Sequence, residues 1–134
     1  MKIAICGSMA SAKEMIEAKK NLKKNGVEVH IQHDIEDFAK GEIKNEDKWR
    51  KMDFDPFKNY FKIIKKSDAV LVVNIHRKGI KGYIGGNTLI EMAFAHVLDK
   101  KIFLLHEIPE VSYKDEIEAM KPIILNGDLS SIKK

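Results

Sequence analysis

The chain has 134 residues, 44% hydrophobic and 33% charged, which predicts one globular domain over residues 1–134 and excludes a separate regulatory domain. The net charge of +4 comes from scattered lysine pairs, so it suits an anionic small substrate and argues against a nucleic-acid partner. No apolar run is long enough to cross a membrane or to form a signal peptide, so we expect a cytoplasmic protein without a membrane partner.

The N-terminal part predicts a strand, a helix and a second strand. The apolar pattern of Lys2–Cys6 favours a buried strand, and the small residues Gly7–Ser11 turn the chain into a helix from about Ala12 to Asn25. Gly26 is expected to end that helix in the left-handed conformation, before a strand over Val27–Ile31. Free amides and hydroxyls in the first turn would suit phosphate or ribose, although an ordinary tight turn is an equal alternative.

The middle of the chain is polar and then aromatic. The stretch from His33 to Asp47 predicts a loop with a short helix around residues 35–40. In the aromatic region from Trp49, Pro56 predicts a break between two helical pieces, the second over about 55–66. A third strand over 68–73 leads into a polar loop, 74–84, of a length that is usually functional or mobile.

The C-terminal part continues the alternation of helices and strands. We expect a helix over 88–98, a strand over 101–105, a helix over 113–120 and a fifth strand over 122–125. This order predicts an α/β fold, a Rossmann-like three-layer sandwich with a five-stranded parallel sheet. The helix over 88–98 is apolar nearly all round, so a second copy of the chain should cover it in a homodimer.

The segment from Gly85 to Glu91 is the strongest candidate site. Gly85 and Gly86 permit a sharp turn and let a ligand approach bare backbone, and Asn87 or Thr88 is expected to cap the following helix. Glu91 is the one acid of that helix, and it follows a buried strand, where open α/β sheets bind ligands. The alternative is a capping box, in which Thr88 and Glu91 only satisfy each other's backbone amides.

Three stretches together resemble one enzyme family. Ile3–Ser8, Ser67–Val73, and Gly85–Ala95 ahead of Lys100–Ile102 resemble the nucleoside 2-deoxyribosyltransferase-like superfamily, which includes deoxyribosyltransferases and nucleoside 5'-monophosphate N-glycosidases. The likeness runs from residue 2 to about 105. It implies that Glu91 is the nucleophile attacking the N-glycosidic bond of a nucleoside or nucleotide.

The same resemblance implies the surroundings of Glu91. The loop Gly7, Ser8 and Met9 would line the sugar or phosphate site, together with Gly85, Gly86 and Asn87. We further expect Asn74 to bond a ribose hydroxyl and Tyr60 to contact the substrate. Neither a cofactor nor a metal is expected, because the reaction needs none and the single cysteine and five histidines lack zinc-like spacing.

One departure from the family pattern opens an alternative. Family enzymes commonly carry an aspartate one or two helix turns before Ser67, where this chain reads Lys58-Asn59-Tyr60-Phe61. Tyr60 or Asn59 could replace that acid, or Asp53 or Asp55 could reach the site. Without a replacement, the chain would be a non-catalytic nucleotide-binding protein of the same fold.

A second resemblance also involves Glu91. The segment from Gly85 to Glu91 looks like the Gly-Gly-x-Gly-Thr-x-x-Glu motif of phosphoribohydrolases that release cytokinin bases, although the third glycine is missing. Both resemblances imply N-glycosidic chemistry. A third hypothesis treats the chain as a structural dimer in which Glu91 is only a helix cap.

Overall fold

The computed structural model describes residues 1–32, 35 and 55–132. Apart from Ile35, the helix predicted around residues 35–40 and the first aromatic piece, 49–54, lie outside the described residues. Within them, no helix is both long and apolar enough to cross a membrane.

A parallel sheet of five strands forms the centre of the fold, as the sequence predicts. The strands are β1 (Lys2–Cys6), β2 (Glu28–His30), β3 (Ala69–Val72), β4 (Lys101–Leu104) and β5 (Ile123–Ile124). They lie in the order β2-β1-β3-β4-β5, and every neighbouring pair is parallel. From β1 the chain therefore passes first to β2 on one side of β1, and it later returns to β3 on the other side of β1. Ligands of open α/β sheets bind at such a switch point, beyond the carboxyl ends of the strands.

Helices cover both faces of the sheet. They are α1 (Ala12–Lys24), α2 (Pro56–Lys65), α3 (Gly86–Val97) and α4 (Lys114–Ala119). Because side chains alternate along a strand, Ile3 and Ile5 of β1 pack into the core on the α1 side, whereas Ala4 and Cys6 pack into the core with α2, α3 and α4. This three-layer arrangement confirms the predicted α/β fold.

Helix ends explain most of the element boundaries. Gly26 has a φ of +81° and ends α1, as predicted. At the start of α2, the Asp55 side chain accepts a hydrogen bond of 3.0 Å from the Lys58 amide, and Pro56 takes the first helical position.

The start of α3 differs from the prediction. Gly85, with extended backbone, is the N-cap, and its carbonyl accepts the amide of Leu89 at 3.0 Å. The prediction that Asn87 or Thr88 caps this helix is therefore wrong. Both residues are already helical, and no side chain caps the helix. The early start moves Glu91 from the first turn into the second.

Candidate active site around Glu91

Glu91 lies on the buried stripe of α3. The buried residues of this helix are Thr88, Glu91, Met92 and Ala95, a spacing that faces one side of a helix. Glu91 is 7% exposed and Met92 and Ala95 are in the core against the sheet. The capping-box alternative is wrong, because Glu91 is the sixth helical residue and no acid occupies the first turn. The carboxylate is therefore buried without a backbone-capping role.

Two side chains from neighbouring strand ends contact this carboxylate. The thiol of Cys6, the last residue of β1, lies beside it, and Nε2 of Gln32 donates to Oε2 at 3.4 Å. Burial raises the pKa of Cys6 well above its usual value of 9.0, and the charge and hydrogen bond of Glu91 raise it further. Cys6 is therefore a neutral thiol that can donate its hydrogen to Glu91.

Sequence reasoning missed both of these partners. It treated Cys6 as an ordinary buried strand residue and gave Gln32 no role. The available signal was topological, because Cys6 ends β1 and Gln32 follows β2 by two residues. Strands that neighbour the switch point send their last residues to the site.

Tyr60 of α2 packs into the same cluster but is fully buried. Its hydroxyl donates to the carbonyl of Ile5 and contacts the carbonyl of His30 at 3.4 Å. Burial raises the pKa of Tyr60 well above its usual value of 10.0, with further contributions from Cys6 and Glu91. Tyr60 therefore belongs to the packing around the carboxylate, with its hydrogen committed to backbone.

The first loop continues directly from Cys6 at the carboxyl end of β1. Ser8 precedes a 3-10 turn over Met9–Ser11, and the hydroxyls of Ser8 and Ser11 are 3.1 Å apart. A Cβ on Gly7 would come within 3.0 Å of Met15 Sδ, so this position is closely packed. Met9 is in the core on the α1 side of the sheet, and it supports the loop from behind.

The glycine-led start of α3 is open. A Cβ on Gly86 would meet no atom within 4 Å, and one on Gly85 would meet only the Tyr83 ring at 3.7 Å. Asn87 is exposed. Packing therefore requires neither glycine, whereas a ligand approaching the helix's first amides would benefit from both.

Asn74 is buried and joins two loops. It is 1% exposed, and its Nδ2 donates to the carbonyls of Gly82, His106 and Glu107 at 2.9–3.3 Å. Its Oδ1 accepts the His106 amide at 2.9 Å. Since both amide hydrogens are used, Asn74 is a clamp between two loops, and we leave it out of the pocket.

The candidate replacements for the missing aspartate lie elsewhere or are occupied. Asp55 caps α2, Asn59 is exposed, and Asp53 is outside the described residues. Asp68 stands at the amino end of β3, where its carboxylate accepts the Lys2 amide at 2.7 Å. Across residues 1–32, 35 and 55–132, no group of three or more histidine, cysteine or acidic side chains could hold a metal ion.

Comparison with known proteins gave no match, since no family model fits the chain and no curated protein or solved structure is significantly similar. The likeness to the deoxyribosyltransferase-like superfamily therefore stays a prediction from the residues of the three stretches.

Proposed function

We propose that this protein cleaves or transfers at the N-glycosidic bond of a nucleoside or nucleoside 5'-monophosphate, with Glu91 as nucleophile. The observation that carries the proposal is a buried carboxylate at the switch point of a parallel sheet, held by Cys6 and Gln32 and not needed as a cap. Burying a carboxylate is costly, and such groups are concentrated at functional sites. We assign the activity to the cytoplasm on the composition argument given above.

The chemistry proceeds in two steps. In the first, a Glu91 oxygen attacks the anomeric carbon through an oxocarbenium-like state, and the C–N bond breaks. The bonding electron pair leaves with the base, which takes up a proton from solvent water, and the sugar becomes a glycosyl ester of Glu91. In the second step, water releases the sugar or a second base accepts it, and the carboxylate is regenerated. Gly7, Ser8, Gly85, Gly86 and Asn87 would shape the sugar or phosphate pocket.

The rival hypothesis is a nucleotide-binding protein without turnover. Leaving-group protonation needs an acid, and Tyr60 is poorly suited because its hydrogen is donated to Ile5 and its pKa is raised. Asp55 is held by the Lys58 amide. Both observations favour the rival, because neither of these described side chains is placed to protonate the leaving base. If the protein is an enzyme, solvent water must supply that proton.

We also propose a homodimer through an apolar face of α2 and α3. This face, the α2–α3 face, consists of Phe57, Phe61 and Phe94, beside which lie Lys58, Lys62 and Lys65, together with the exposed Ile90 and Val97 of α3. Val97 is 76% exposed and Ile90 41%, while Phe61 and Phe94 pack edge to face with centroids 5.2 Å apart. Apolar side chains of this size are normally covered, and the same patch on a second copy is a self-complementary cover.

A base-release assay tests the activity. The purified protein is incubated with ribo- and deoxyribonucleosides and their 5'-monophosphates, with and without a second base, and free base is followed by chromatography. Glu91→Gln keeps the size of the side chain while removing the nucleophile, so release should fall at least about a thousandfold. The matched control is Glu17→Gln, at an exposed position on α1, which should leave the rate unchanged.

The same variants separate the hypotheses. Release that is lost only in Glu91→Gln supports the enzyme and identifies the substrate. The unsubstituted protein and Glu91→Gln could instead both bind nucleotide saturably without releasing base under any condition. That result would favour the binding-protein hypothesis over the enzyme hypothesis. A rate that survives in Glu91→Gln would exclude Glu91 as the nucleophile.

A further inference from the structure

We propose that the chain carries a second ligand site, a pocket for a phosphorylated small molecule, where the segments after β3, β4 and β5 meet. The cavity there has a volume of about 430 Å³, which is within the usual range for small-molecule sites. It is lined by His76, Lys81, Gly82, His106, Glu107 and Asn126. The proposal does not depend on the glycosidic chemistry of Glu91.

The pocket is on the other side of the switch point from Glu91. Glu91 contacts Cys6 at the end of β1 and Gln32 after β2, whereas the pocket is built by segments that follow β3, β4 and β5. The wall after β3 is next to β1, whereas the walls after β4 and β5 lie two and three strand spacings from β1, or about 10 and 15 Å. A ligand of the size of a sugar phosphate could therefore occupy this pocket without contacting Glu91.

The charge of the lining favours an anion with several acceptor oxygens. Lys81 contributes a permanent cation, and His76, His106 and Asn126 contribute ring or amide N–H donors. Glu107 is the only acid among the six lining residues. No phenylalanine, tyrosine or tryptophan is among them, so the pocket suits a phosphate on a sugar or polyol better than a stacked base.

The loop that carries Lys81 also contains a basic turn. The amides and carbonyls of Arg77 and Ile80 bond reciprocally at 3.0 Å, and Lys78 and Gly79 between them have φ of 54° and 74°. This geometry is a tight hairpin turn. The Arg77 and Lys78 cations lie 5.9 and 5.4 Å from the centroid of the Tyr83 ring, which holds both beside the loop. The loop thus carries three cations within five residues, of which Lys81 lines the pocket.

The walls of the pocket are fixed to one another. Asn74 joins the loop after β3 to the segment after β4 through its bonds to Gly82, His106 and Glu107. Gly82 comes so near that segment that a Cβ on it would lie 2.3 Å from the Glu107 carbonyl oxygen.

The third wall, after β5, is attached as well. The Gly127 amide donates to the Leu105 carbonyl at 2.7 Å, and a Cβ on Gly127 would lie 3.6 Å from the His106 ring. Asn126 before it is held with a φ of 53°. The backbone of all three walls is therefore fixed before any ligand binds, which reduces the entropy cost of binding.

Amide-resolved NMR of the full chain with ribose 5-phosphate tests the site. Ribose at the same concentration, in sodium chloride of matched ionic strength, controls for the sugar and for general salt effects. We expect saturable shifts at His76, Lys81, His106 and Asn126 with ribose 5-phosphate and none with ribose. Lys81→Glu should weaken binding by at least about tenfold, because it reverses the charge beside the phosphate.

Two matched variants make the result specific. Lys101→Glu reverses an exposed charge at the amino end of β4, the opposite edge of the sheet, and should leave the affinity unchanged. Glu91→Gln should leave the shifts at His76, Lys81, His106 and Asn126 unchanged, whatever its effect on the amides of Gly7, Ser8 and Gly86. Shifts confined to Gly7, Ser8 and Gly86, or binding that depends on Glu91 and not on Lys81, would overturn the proposal, as would the absence of saturable shifts. Base release is not part of this readout, so the two proposals fail separately.

Discussion

The thiol of Cys6 at the end of β1 lies beside the carboxylate of Glu91 on α3, and this carboxylate raises the pKa of the thiol. The contact joins β1, the neighbour of the central strand β3, to a helix that covers the sheet, 85 positions later in the chain. Because the pKa of Cys6 is raised by burial and by Glu91, the thiol stays protonated and keeps donating. A positioned donor of this kind fixes the carboxylate in one orientation, as a nucleophile requires.

A double-mutant cycle should detect this contact. Cys6→Ala and Glu91→Gln are combined, and free energies of unfolding are measured in urea. A hydrogen bond to a buried carboxylate should give a coupling energy of about 1 kcal/mol. The control cycle combines Cys6→Ala with Glu17→Gln, at an exposed position. In this cycle the two changes in the free energy of unfolding should be additive. Additivity in both cycles would mean that Cys6 does not position Glu91.

The raised pKa values of Cys6 and Tyr60 predict a loss of stability at alkaline pH. Their usual values are 9.0 and 10.0, and in the folded protein both groups are buried and keep their protons to higher pH. The unfolded chain therefore releases protons first. The resulting stability is fully present below about pH 9 and falls as pH rises, by up to about 1.4 kcal/mol per pH unit for each group.

Urea unfolding of three proteins between pH 7 and 11 measures this effect. Relative to the unsubstituted chain, Cys6→Ala should reduce the downward slope above pH 9, and Tyr60→Phe should reduce it above pH 10. The pH dependence of the free energy of unfolding is compared between the three proteins, because lysines in all of them titrate in the same pH range as Cys6 and Tyr60. If the three curves run parallel, neither buried group is the source of the alkaline loss.

Association through the α2–α3 face is tested by charge insertion. Val97→Asp places a carboxylate at the most exposed apolar position of α3 and should dissociate a homodimer, because an unpaired charge would be buried in the interface. Ile123→Asp is the control, since Ile123 is 45% exposed but lies on the edge strand β5. Sedimentation equilibrium should give twice the 15.3 kDa of one chain for the control and one chain for Val97→Asp. A monomeric Ile123→Asp protein together with a dimeric Val97→Asp protein would place the interface at the edge strand β5.

The sequence predicts the strands and helices well because their signal is local. β3 is a continuous apolar run, as is β1 after Lys2, and α1, α2 and α3 follow from apolar periodicity with a glycine or proline at one boundary. The start of α3 was mispredicted for a local reason as well. Asn87 and Thr88 are preferred caps, but Gly85 also accepts the N-cap conformation, so composition alone does not select between them.

The partners of the candidate residues could not be read from the sequence, because they are set by tertiary packing. Gln32 and Cys6 meet Glu91 only after the sheet forms, although strand ends near a switch point were a usable signal. Asn74 follows a strand as a ligand-binding residue would, yet it clamps two loops. Asn126 joins the second pocket from β5, a contact that no local pattern indicates.

The contact between Gly82 and the Glu107 backbone is tested by a pair of glycine substitutions. Gly82 and Gly79 have similar left-handed φ values, 68° and 74°, so alanine at either position incurs similar backbone strain of about 1 kcal/mol. They differ in their surroundings. A Cβ on Gly79 would meet no atom within 4 Å, whereas one on Gly82 would lie 2.3 Å from the Glu107 carbonyl oxygen and 3.1 Å from Asn74 Nδ2.

Gly82→Ala should therefore force the two clamped loops apart, while Gly79→Ala should not. We expect Gly79→Ala to lower the free energy of unfolding by about 1 kcal/mol and Gly82→Ala to lower it by about 3 kcal/mol. In amide-resolved NMR, only Gly82→Ala should shift His106 and Glu107 and weaken ribose 5-phosphate binding. Equal losses of stability, with unshifted His106 and Glu107 in both variants, would show that backbone strain alone explains Gly82 and that the loops do not hold the pocket in shape.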